Sequence, residues 1–344
     1  MDINSVISLV RSNIRRLTPY STARDEYKGK LGLFLDANEN PFSNGYNRYP
    51  DPRQLSLKSL LAEIKGIASD KIFIGNGSDE AIDLCIRIFC EPRIDNIVTI
   101  RPTYGMYSVS AAINDVEVRE VPLGRDFILS ADAMMAACDN NTKLMFICSP
   151  NNPTGNSMPV EQLRWLLEYF NGVVVVDEAY VDFSSQPSML TLLDEYSNLI
   201  VLHTMSKAYG LAALSLGLAF AHPSIIELFS NVKYPYNINL AGMERAAELL
   251  ERNVADEIAL IKEERSRVMQ QLSQMECVEK VYPSDANFLL VKVADAKAMY
   301  DALIQEQIIV RDRSHVPGCE GCLRITIGTP QENDRLLEIM KQKQ

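Results

Sequence analysis

Three short apolar runs in the middle of the chain each end in a cluster of polar residues, and this repetition restricts the possible folds more than any other feature. The runs are 144–148, 173–176 and 199–202, and each is followed directly by its polar cluster. Continuous apolar runs of this length are typical of strands buried on both faces of a parallel sheet. Because parallel strands end at one edge of the sheet, where α/β proteins bind ligands, the three clusters are predicted to meet there.

Helix-like and strand-like segments alternate from Leu55 onwards, which predicts an α/β domain built on a mostly parallel sheet. The pattern changes near Leu240, where the charged stretch 240–272 predicts one long linker helix. The segments after it follow the order strand, helix, strand, strand, helix, which predicts a smaller α+β domain. We place the large domain at 31–245, and the small domain at 246–344 together with the N-terminal arm 1–30.

Composition and charge exclude several classes of function. Of the 344 residues, 47% are hydrophobic and 23% are charged, which is typical of a globular protein, and the formal net charge is −11. Such an acidic chain is not expected to bind nucleic acid or an anionic membrane surface. No apolar stretch approaches the length of a membrane span, and the first residues lack the pattern of a secretory signal. We therefore expect a cytoplasmic protein.

The cysteines give little indication of a metal site. Cys85, Cys90 and Cys148 lie within apolar runs, where a free thiol packs as a small hydrophobic group. Cys319 and Cys322 form a single CxxC pair, which is weak evidence for zinc in the absence of a second pair. We predict no bound metal and a reducing compartment.

The third polar cluster contains a lysine between hydroxyl residues and an apolar turn. Lys207 follows Thr204 and Ser206, and no other charged residue is close to it in the sequence. A lysine after a strand is usually a solvated surface residue, but the hydroxyl groups beside this one are suited to binding a phosphate. Enzymes that use pyridoxal phosphate (PLP) hold this cofactor as a Schiff base on a lysine, and we interpret Lys207 in this way.

The other two clusters supply an acid, a phenol and an amide. Asp177 ends a run of four valines, and a buried carboxylate is costly unless a cation such as the PLP ring nitrogen meets it. Tyr180 and Asn152 are suited to bonding the 3′ oxygen of the same ring. Taken alone, each residue has a structural alternative: a turn or helix cap for Asp177, a core position for Tyr180, and turn chemistry for Asn152.

A glycine loop and an aromatic residue upstream fit the same site. Gly77, Ser78 and Asp79 open a predicted helix after a strand, and the free N–H groups at a helix start bind anions such as phosphate. Tyr104 follows another strand and is placed to stack on a flat ring, with a purely structural role as the alternative.

Arginines in the small domain supply positive charge. Arg324 lies between apolar residues of a strand-like run, where burial is costly without an anion. A guanidinium group is suited to bidentate binding of carboxylate or phosphate, and a salt bridge at an edge strand is the alternative. Arg311 and Arg313 lie nearby in the sequence.

The order and spacing of these motifs resemble those of fold-type I PLP aminotransferases, and most closely the histidinol-phosphate aminotransferase family. The resemblance covers nearly the whole chain and includes 17–20, 37–41, 47–50, 102–107 and 309–315. It implies a homodimer that transfers the amino group of histidinol phosphate to 2-oxoglutarate in histidine biosynthesis. The products would be imidazole acetol phosphate and glutamate.

The same resemblance implies a role for each candidate residue. Lys207 would attach the cofactor, Asp177 would pair with the ring nitrogen, and Tyr49 would reach the cofactor phosphate of the neighbouring subunit. The remaining cofactor contacts would come from Gly77, Ser78, Asp79, Tyr104, Asn152, Tyr180, Thr204 and Ser206. The substrates would be bound by Tyr20, Asn40, Arg311 and Arg324.

One position departs from the pattern of the family. The family usually has a phosphate-binding arginine eight residues after the cofactor lysine, and this chain has Ser215 there. We therefore expect weakened cofactor binding.

The alternative functions are an aminotransferase of aromatic amino acids, a PLP decarboxylase of a phosphorylated amino acid, and a weakly catalytic or non-catalytic protein of the same fold.

Overall fold

Strands and helices alternate along the chain as the sequence pattern predicts. The structure, a computed structural model, describes residues 1–21 and 32–342. Its helices are α1 (Ile3–Ser8), α2 (Ser12–Arg15), α3 (Leu55–Lys65), α4 (Gly77–Phe89), α5 (Met106–Ile113), α6 (Ala131–Ala136), α7 (Val160–Tyr169), α8 (Pro223–Val232), α9 (Leu240–Leu250), α10 (Ala255–Leu272), α11 (Ala296–Gln305) and α12 (Pro330–Gln342). Its strands are β1 (Ile72–Asn76), β2 (Asn96–Arg101), β3 (Glu117–Pro122), β4 (Thr142–Cys148), β5 (Val173–Asp177), β6 (Leu199–Thr204), β7 (Leu216–Phe220), β8 (Val278–Val281), β9 (Phe288–Val293), β10 (Arg311–Asp312) and β11 (Cys322–Thr326).

The larger sheet has seven strands in the order β1-β7-β6-β5-β4-β2-β3. Strands β6, β5, β4, β2 and β3 pair in parallel, and β7 is antiparallel to both of its neighbours. The three apolar runs of the sequence are β4, β5 and β6 at the centre of this sheet. The predicted α/β domain with a mostly parallel sheet is confirmed.

Burial on both faces explains why apolar and polar residues do not alternate along the central strands. Strands β5 and β6 are buried along their whole length. On one face they share a core with α3, α6, α7 and α9, and on the other face with α1, α4, α5 and α8. A strand that faces solvent on neither side is apolar throughout, except where it ends at the sheet edge.

A smaller antiparallel sheet has the order β10-β11-β9-β8. Helices α10, α11 and α12 pack on it through a separate apolar core. The predicted smaller α+β unit is therefore confirmed, whereas its boundaries at 30/31 and 245/246 remain a prediction.

Two features of this region differ from the sequence prediction. The stretch 240–272 forms two helices, α9 and α10, so the single long helix was wrong. The chain leaves the helix after Leu250, and the Asn253 side chain accepts a hydrogen bond from the Ala255 N–H in a turn that restarts it. Strand β8 was not predicted, because none of its four residues is buried and it lacks an apolar signal.

Two other features were considered from the sequence, a membrane-spanning helix and a metal site. Neither occurs in the part of the chain that the structure describes. None of its helices combines the length and the apolar character needed to cross a membrane. No group of three or more His, Cys, Asp or Glu side chains is placed to hold a metal ion there. Cys319 and Cys322 are buried in an apolar cluster with Phe127 and Leu290.

Strand β7 approaches the start of α4 so closely that only glycine fits at position 217. A Cβ atom on Gly217 would lie 2.0 Å from the Ser78 amide nitrogen and 2.1 Å from the Gly77 carbonyl carbon. Gly77 itself has a φ of +74°, and its N–H donates to the Ser215 carbonyl. These contacts hold the first turn of α4 against the end of the sheet.

Gly217→Ala should therefore destabilise the protein, because backbone atoms must move to admit the methyl group. We expect a loss of about 1–3 kcal/mol in the free energy of unfolding, measured by urea denaturation. Gly105→Ala is the matched control, because a Cβ atom there meets no atom of the described residues within 4 Å. Equal losses in the two variants would contradict the close approach.

Candidate active site

The carboxyl ends of three neighbouring strands meet at one edge of the large sheet. The register pairs Cys148 at the end of β4 with Asp177 at the end of β5, and Asp177 with Leu202 of β6. The turns that follow these strands therefore begin side by side, as the sequence prediction requires.

A cavity of about 420 Å³ opens at this edge, and its volume is within the range of small-molecule sites. The predicted residues that line it are Gly77, Ser78, Asp79, Tyr104, Asn152, Asp177, Tyr180, Thr204, Ser206, Lys207, Arg311 and Arg324. The other lining residues are Cys148, Ala179, Ser215 and Arg313. The fold thus brings most of the predicted residues together.

Asp177 lines this cavity and is only 2% exposed. Its Oδ2 accepts a hydrogen bond from the Tyr107 hydroxyl at 2.7 Å, and its Oδ1 accepts one from the Ala179 N–H at 3.1 Å. Burial raises the pKa of the carboxyl to about 6, and the two hydrogen bonds oppose this rise. No lysine or arginine of the described residues forms an ion pair with Asp177, so the carboxylate is suited to receive a cationic group.

The start of α4 and the end of β6 contribute backbone and hydroxyl groups to the cavity. Gly77, Ser78 and Asp79 form the first turn of α4. The Gly77 N–H donates to the Ser215 carbonyl, and the N–H groups of Ser78 and Asp79 have no partner within the helix. Thr204 and Ser206 line the cavity beside them, and the Ser206 N–H donates to the Thr204 hydroxyl at 3.1 Å. These groups are suited to binding an anion through neutral donors.

Tyr104 is held against this helix start. Its hydroxyl donates to Asp79 Oδ1 at 3.2 Å. Burial and the nearby Asp79 carboxylate raise the pKa of Tyr104, so its phenol remains a donor. The half-buried ring lines the cavity, where a flat ligand could lie against it.

Lys207 follows β6 and exposes its side chain at the cavity. Its Nζ lies 6.0 Å from the centroid of the Tyr180 ring, and no carboxylate of the described residues forms an ion pair with it. Tyr180 packs edge-on against Phe288 at 5.1 Å, and its burial raises the pKa of its phenol. The site therefore presents a primary amine beside a protonated phenol.

The arginines that line the cavity come from β10, from β11 and from the turn after β10. Arg324 Nη1 donates to Asn152 Oδ1 at 2.5 Å, and its guanidinium carbon lies 5.3 Å from the Phe288 ring centroid. The Nε atoms of Arg313 and Arg324 are buried, and neither has a hydrogen-bond partner among the described residues. Burial lowers the pKa of both arginines, and for Arg313 the neighbouring arginines lower it further. An anionic ligand would satisfy both groups.

Two residues at this site were not among the candidates. Tyr107 belongs to the sequence motif 102–107, but nothing in the sequence shows that its hydroxyl reaches Asp177. Arg313 has no role in the sequence prediction beyond positive charge near Arg324, although it lies two residues after Arg311 and alternate residues of an extended chain share a face.

Three predicted residues do not line the cavity of the single chain. Tyr20 lies in a separate surface pocket with Pro52 and Lys233. Tyr49 stacks on Tyr236 with the ring centroids 4.4 Å apart. Asn40 is exposed, and its side chain accepts a hydrogen bond from the N–H of residue 42. Their proposed roles remain predictions.

Known proteins match the chain over nearly its whole length. The sequence model of the aminotransferase class I and II family matches residues 35–340. A histidinol-phosphate aminotransferase of Parabacteroides distasonis is 54% identical over 97% of this chain and 97% of its own. One of Cytophaga hutchinsonii is 50% identical over 98% of this chain and 99% of its own.

Solved structures show the same fold. The structure of a histidinol-phosphate aminotransferase of Sinorhizobium meliloti in complex with pyridoxal-5′-phosphate has a TM-score of 0.78. It is 22% identical and covers 97% of this chain and 98% of its own. The family match and the two full-length relatives establish that the chain belongs to the class I and II aminotransferase family.

Proposed function

We propose that the protein is a PLP-dependent aminotransferase that converts histidinol phosphate and 2-oxoglutarate to imidazole acetol phosphate and glutamate. The observation that carries the proposal is one cavity that contains a lysine, a buried carboxylate and three arginines. The relatives with 50% and 54% identity bear the name of this activity. Both substrates are anions, which suits an arginine-lined cavity.

The residues of the cavity fit PLP. The buried carboxylate of Asp177 would meet the ring nitrogen, and Lys207 would hold the cofactor through Nζ. When bound, PLP supplies an electron-withdrawing ring that carries the amino group between two half-reactions. Asn152 and Tyr180 would contact the 3′ oxygen, and Tyr104 would lie against the ring face. The phosphate would be contacted by Gly77, Ser78, Asp79, Thr204 and Ser206.

Three side chains then have separate tasks in the proton transfers. Lys207 Nζ is the proposed acid–base group: as the free amine it would remove the proton from the carbon that bears the amino group of the donor, and in the second half-reaction it would give a proton to the corresponding carbon of the acceptor. Asp177 would hold a proton at the ring nitrogen. The Tyr180 phenol, kept protonated by burial, would donate a hydrogen bond.

The arginines are the proposed binding site for the anionic ends of the substrates. The unpartnered Nε atoms of Arg313 and Arg324 require acceptors, which a phosphate or a carboxylate supplies. Arg311, opposite Arg324 in the sheet register, would add charge at the same place.

We also infer a homodimer in the cytoplasm. In the segment 33–42, the side chains of Leu33, Leu35 and Phe42 are each at least 80% exposed, and apolar surface of this kind is commonly covered by a partner. Tyr49 of one subunit would then reach the cofactor phosphate of the other, and Tyr20 and Asn40 would join a site completed at the interface. All seven cysteines are free, which supports a reducing compartment.

The purified protein loaded with PLP should form glutamate and imidazole acetol phosphate in equal amounts. Lys207→Ala should lower turnover by roughly 10²–10⁴-fold or more, because it removes the acid–base group. The control is Lys297→Ala, at a side chain that is 81% exposed. Release of carbon dioxide, faster transfer from aromatic amino acids, or bound PLP without turnover would each assign one of the alternative functions instead.

Arg324→Lys should lower kcat/KM in both half-reactions by about tenfold to hundredfold, because lysine keeps the charge but loses the two-pronged geometry. Single-turnover kinetics with each substrate measure this change. Arg335→Lys, at an exposed position on α12, is the control. An unchanged value for both substrates would place Arg324 outside the substrate site.

Ser215→Arg should tighten PLP binding by about tenfold to hundredfold, because it adds a charged hydrogen bond to the phosphate. Ser215 lines the cavity, and its backbone carbonyl contacts the start of α4. Equilibrium dialysis measures the affinity, and Ser215→Gln separates charge from side-chain size. An equal affinity in Ser215→Arg and the unsubstituted protein would show that another group already supplies the charge.

A further inference from the structure

The Asp177 carboxylate has one side-chain hydrogen-bond donor among the described residues, the hydroxyl of Tyr107. The Tyr107 bond is 2.7 Å long, and the second bond of the carboxylate comes from the Ala179 backbone. Both side chains are almost inaccessible to water, with exposures of 0% for Tyr107 and 2% for Asp177. Bulk water therefore has little access to the hydrogen bond between Tyr107 and Asp177.

Tyr107 is fixed by packing as well as by this bond. Its ring stacks on Phe146 with centroids 5.0 Å apart and an interplanar angle of 18°, and it meets Tyr104 edge-on. Burial raises the pKa of the phenol well above its ordinary value, so Tyr107 remains a proton donor. It is a rigid donor with a single orientation toward Asp177.

The groups around Asp177 have opposing effects on the pKa of its carboxyl. Burial is the largest influence on the carboxyl and raises its pKa, and the Tyr107 bond is the strongest influence that lowers it. Asp79 on α4 raises it and His203 on β6 lowers it by charge. The other ionisable groups near it, or lining the same cavity, are Tyr104, Cys148 on β4, Glu178, Tyr180, Lys207, Arg311, Arg313 and Arg324.

We propose that Tyr107 is a positioning residue that keeps the Asp177 carboxylate ionised and oriented before a cationic ring nitrogen arrives. This inference rests on the proposed function, because it assumes a ligand of the PLP type. Without the hydroxyl, Asp177 would bind its proton more tightly, and a ligand would have to displace that proton. Ligand affinity would then fall as the pH drops through the new, higher pKa.

The experiment is a comparison of Tyr107→Phe with the unsubstituted protein across pH 5.5–8.5. The probe is pyridoxamine phosphate, which has the same ring and phosphate but needs no covalent bond to Lys207. We expect the pH at which affinity begins to fall to move upward by about one to two pH units. At pH 6.5 the variant should bind about tenfold more weakly, and near pH 8.5 the two proteins should bind similarly.

Asp177→Asn provides the matched background. Asparagine has no ionisable group, so Tyr107→Phe in the Asp177→Asn protein should change the affinity by the same factor at every pH, or not at all. A loss that is the same at every pH, or equal in both backgrounds, would show that Tyr107 acts only through packing and would overturn the proposal.

A second variant covers the case in which Tyr107→Phe does not fold. 3,5-Difluorotyrosine at position 107 keeps the ring and the hydroxyl but is a stronger donor, so the fall in affinity should move to lower pH. An unchanged or upward movement would overturn the proposal. Failure of the unsubstituted protein to bind pyridoxamine phosphate at any pH would reject the proposed function. Normal binding by that protein, with the same pH profile in Tyr107→Phe, would reject only the role of Tyr107.

Discussion

The parallel register of β4, β5 and β6 is the constraint on which the site depends. Because Cys148 lies opposite Asp177 and Asp177 lies opposite Leu202, the three strands end together at one edge. The turns after them then need only a few residues to bring an amide, a carboxylate and an amine into one cavity. A shift of one residue in this register would turn the Asp177 side chain to the other face of the sheet.

Several polar groups in this cavity are buried at a cost in desolvation free energy, and ion pairs and hydrogen bonds from the described residues compensate for it only in part. The Asp177 carboxylate is buried without an ion pair among the described residues, and two arginine Nε atoms there are buried without acceptors. Buried polar groups are nearly always satisfied in stable proteins. Two of the four unsatisfied buried side-chain atoms among the described residues lie in this cavity beside the buried carboxylate, which is what a site prepared for a charged ligand requires.

The sequence predicted the central strands and most of the cavity residues because their signals are local. Four consecutive valines before Asp177 and the hydroxyl groups beside Lys207 are visible within a few residues. Features that depend on distant contacts were missed or placed differently. The break between α9 and α10 is an exception, because its turn at Asn253 is local and was still missed, whereas Tyr107 gains its partner across 70 residues of sequence.

The sequence by itself determined the alternation of strands and helices, the buried centre of the sheet and the residue types that follow each strand. These follow from hydrophobic burial and backbone preference, which act over short stretches of chain. Only the tertiary structure decided that Arg313 joins Arg324 and Lys207 in one cavity, that Tyr107 bonds to Asp177, and that Tyr20 lies outside the cavity of one chain. Hydrogen bonds and charge interactions act over a few ångströms in space, and sequence separation does not reveal which groups the fold brings that close.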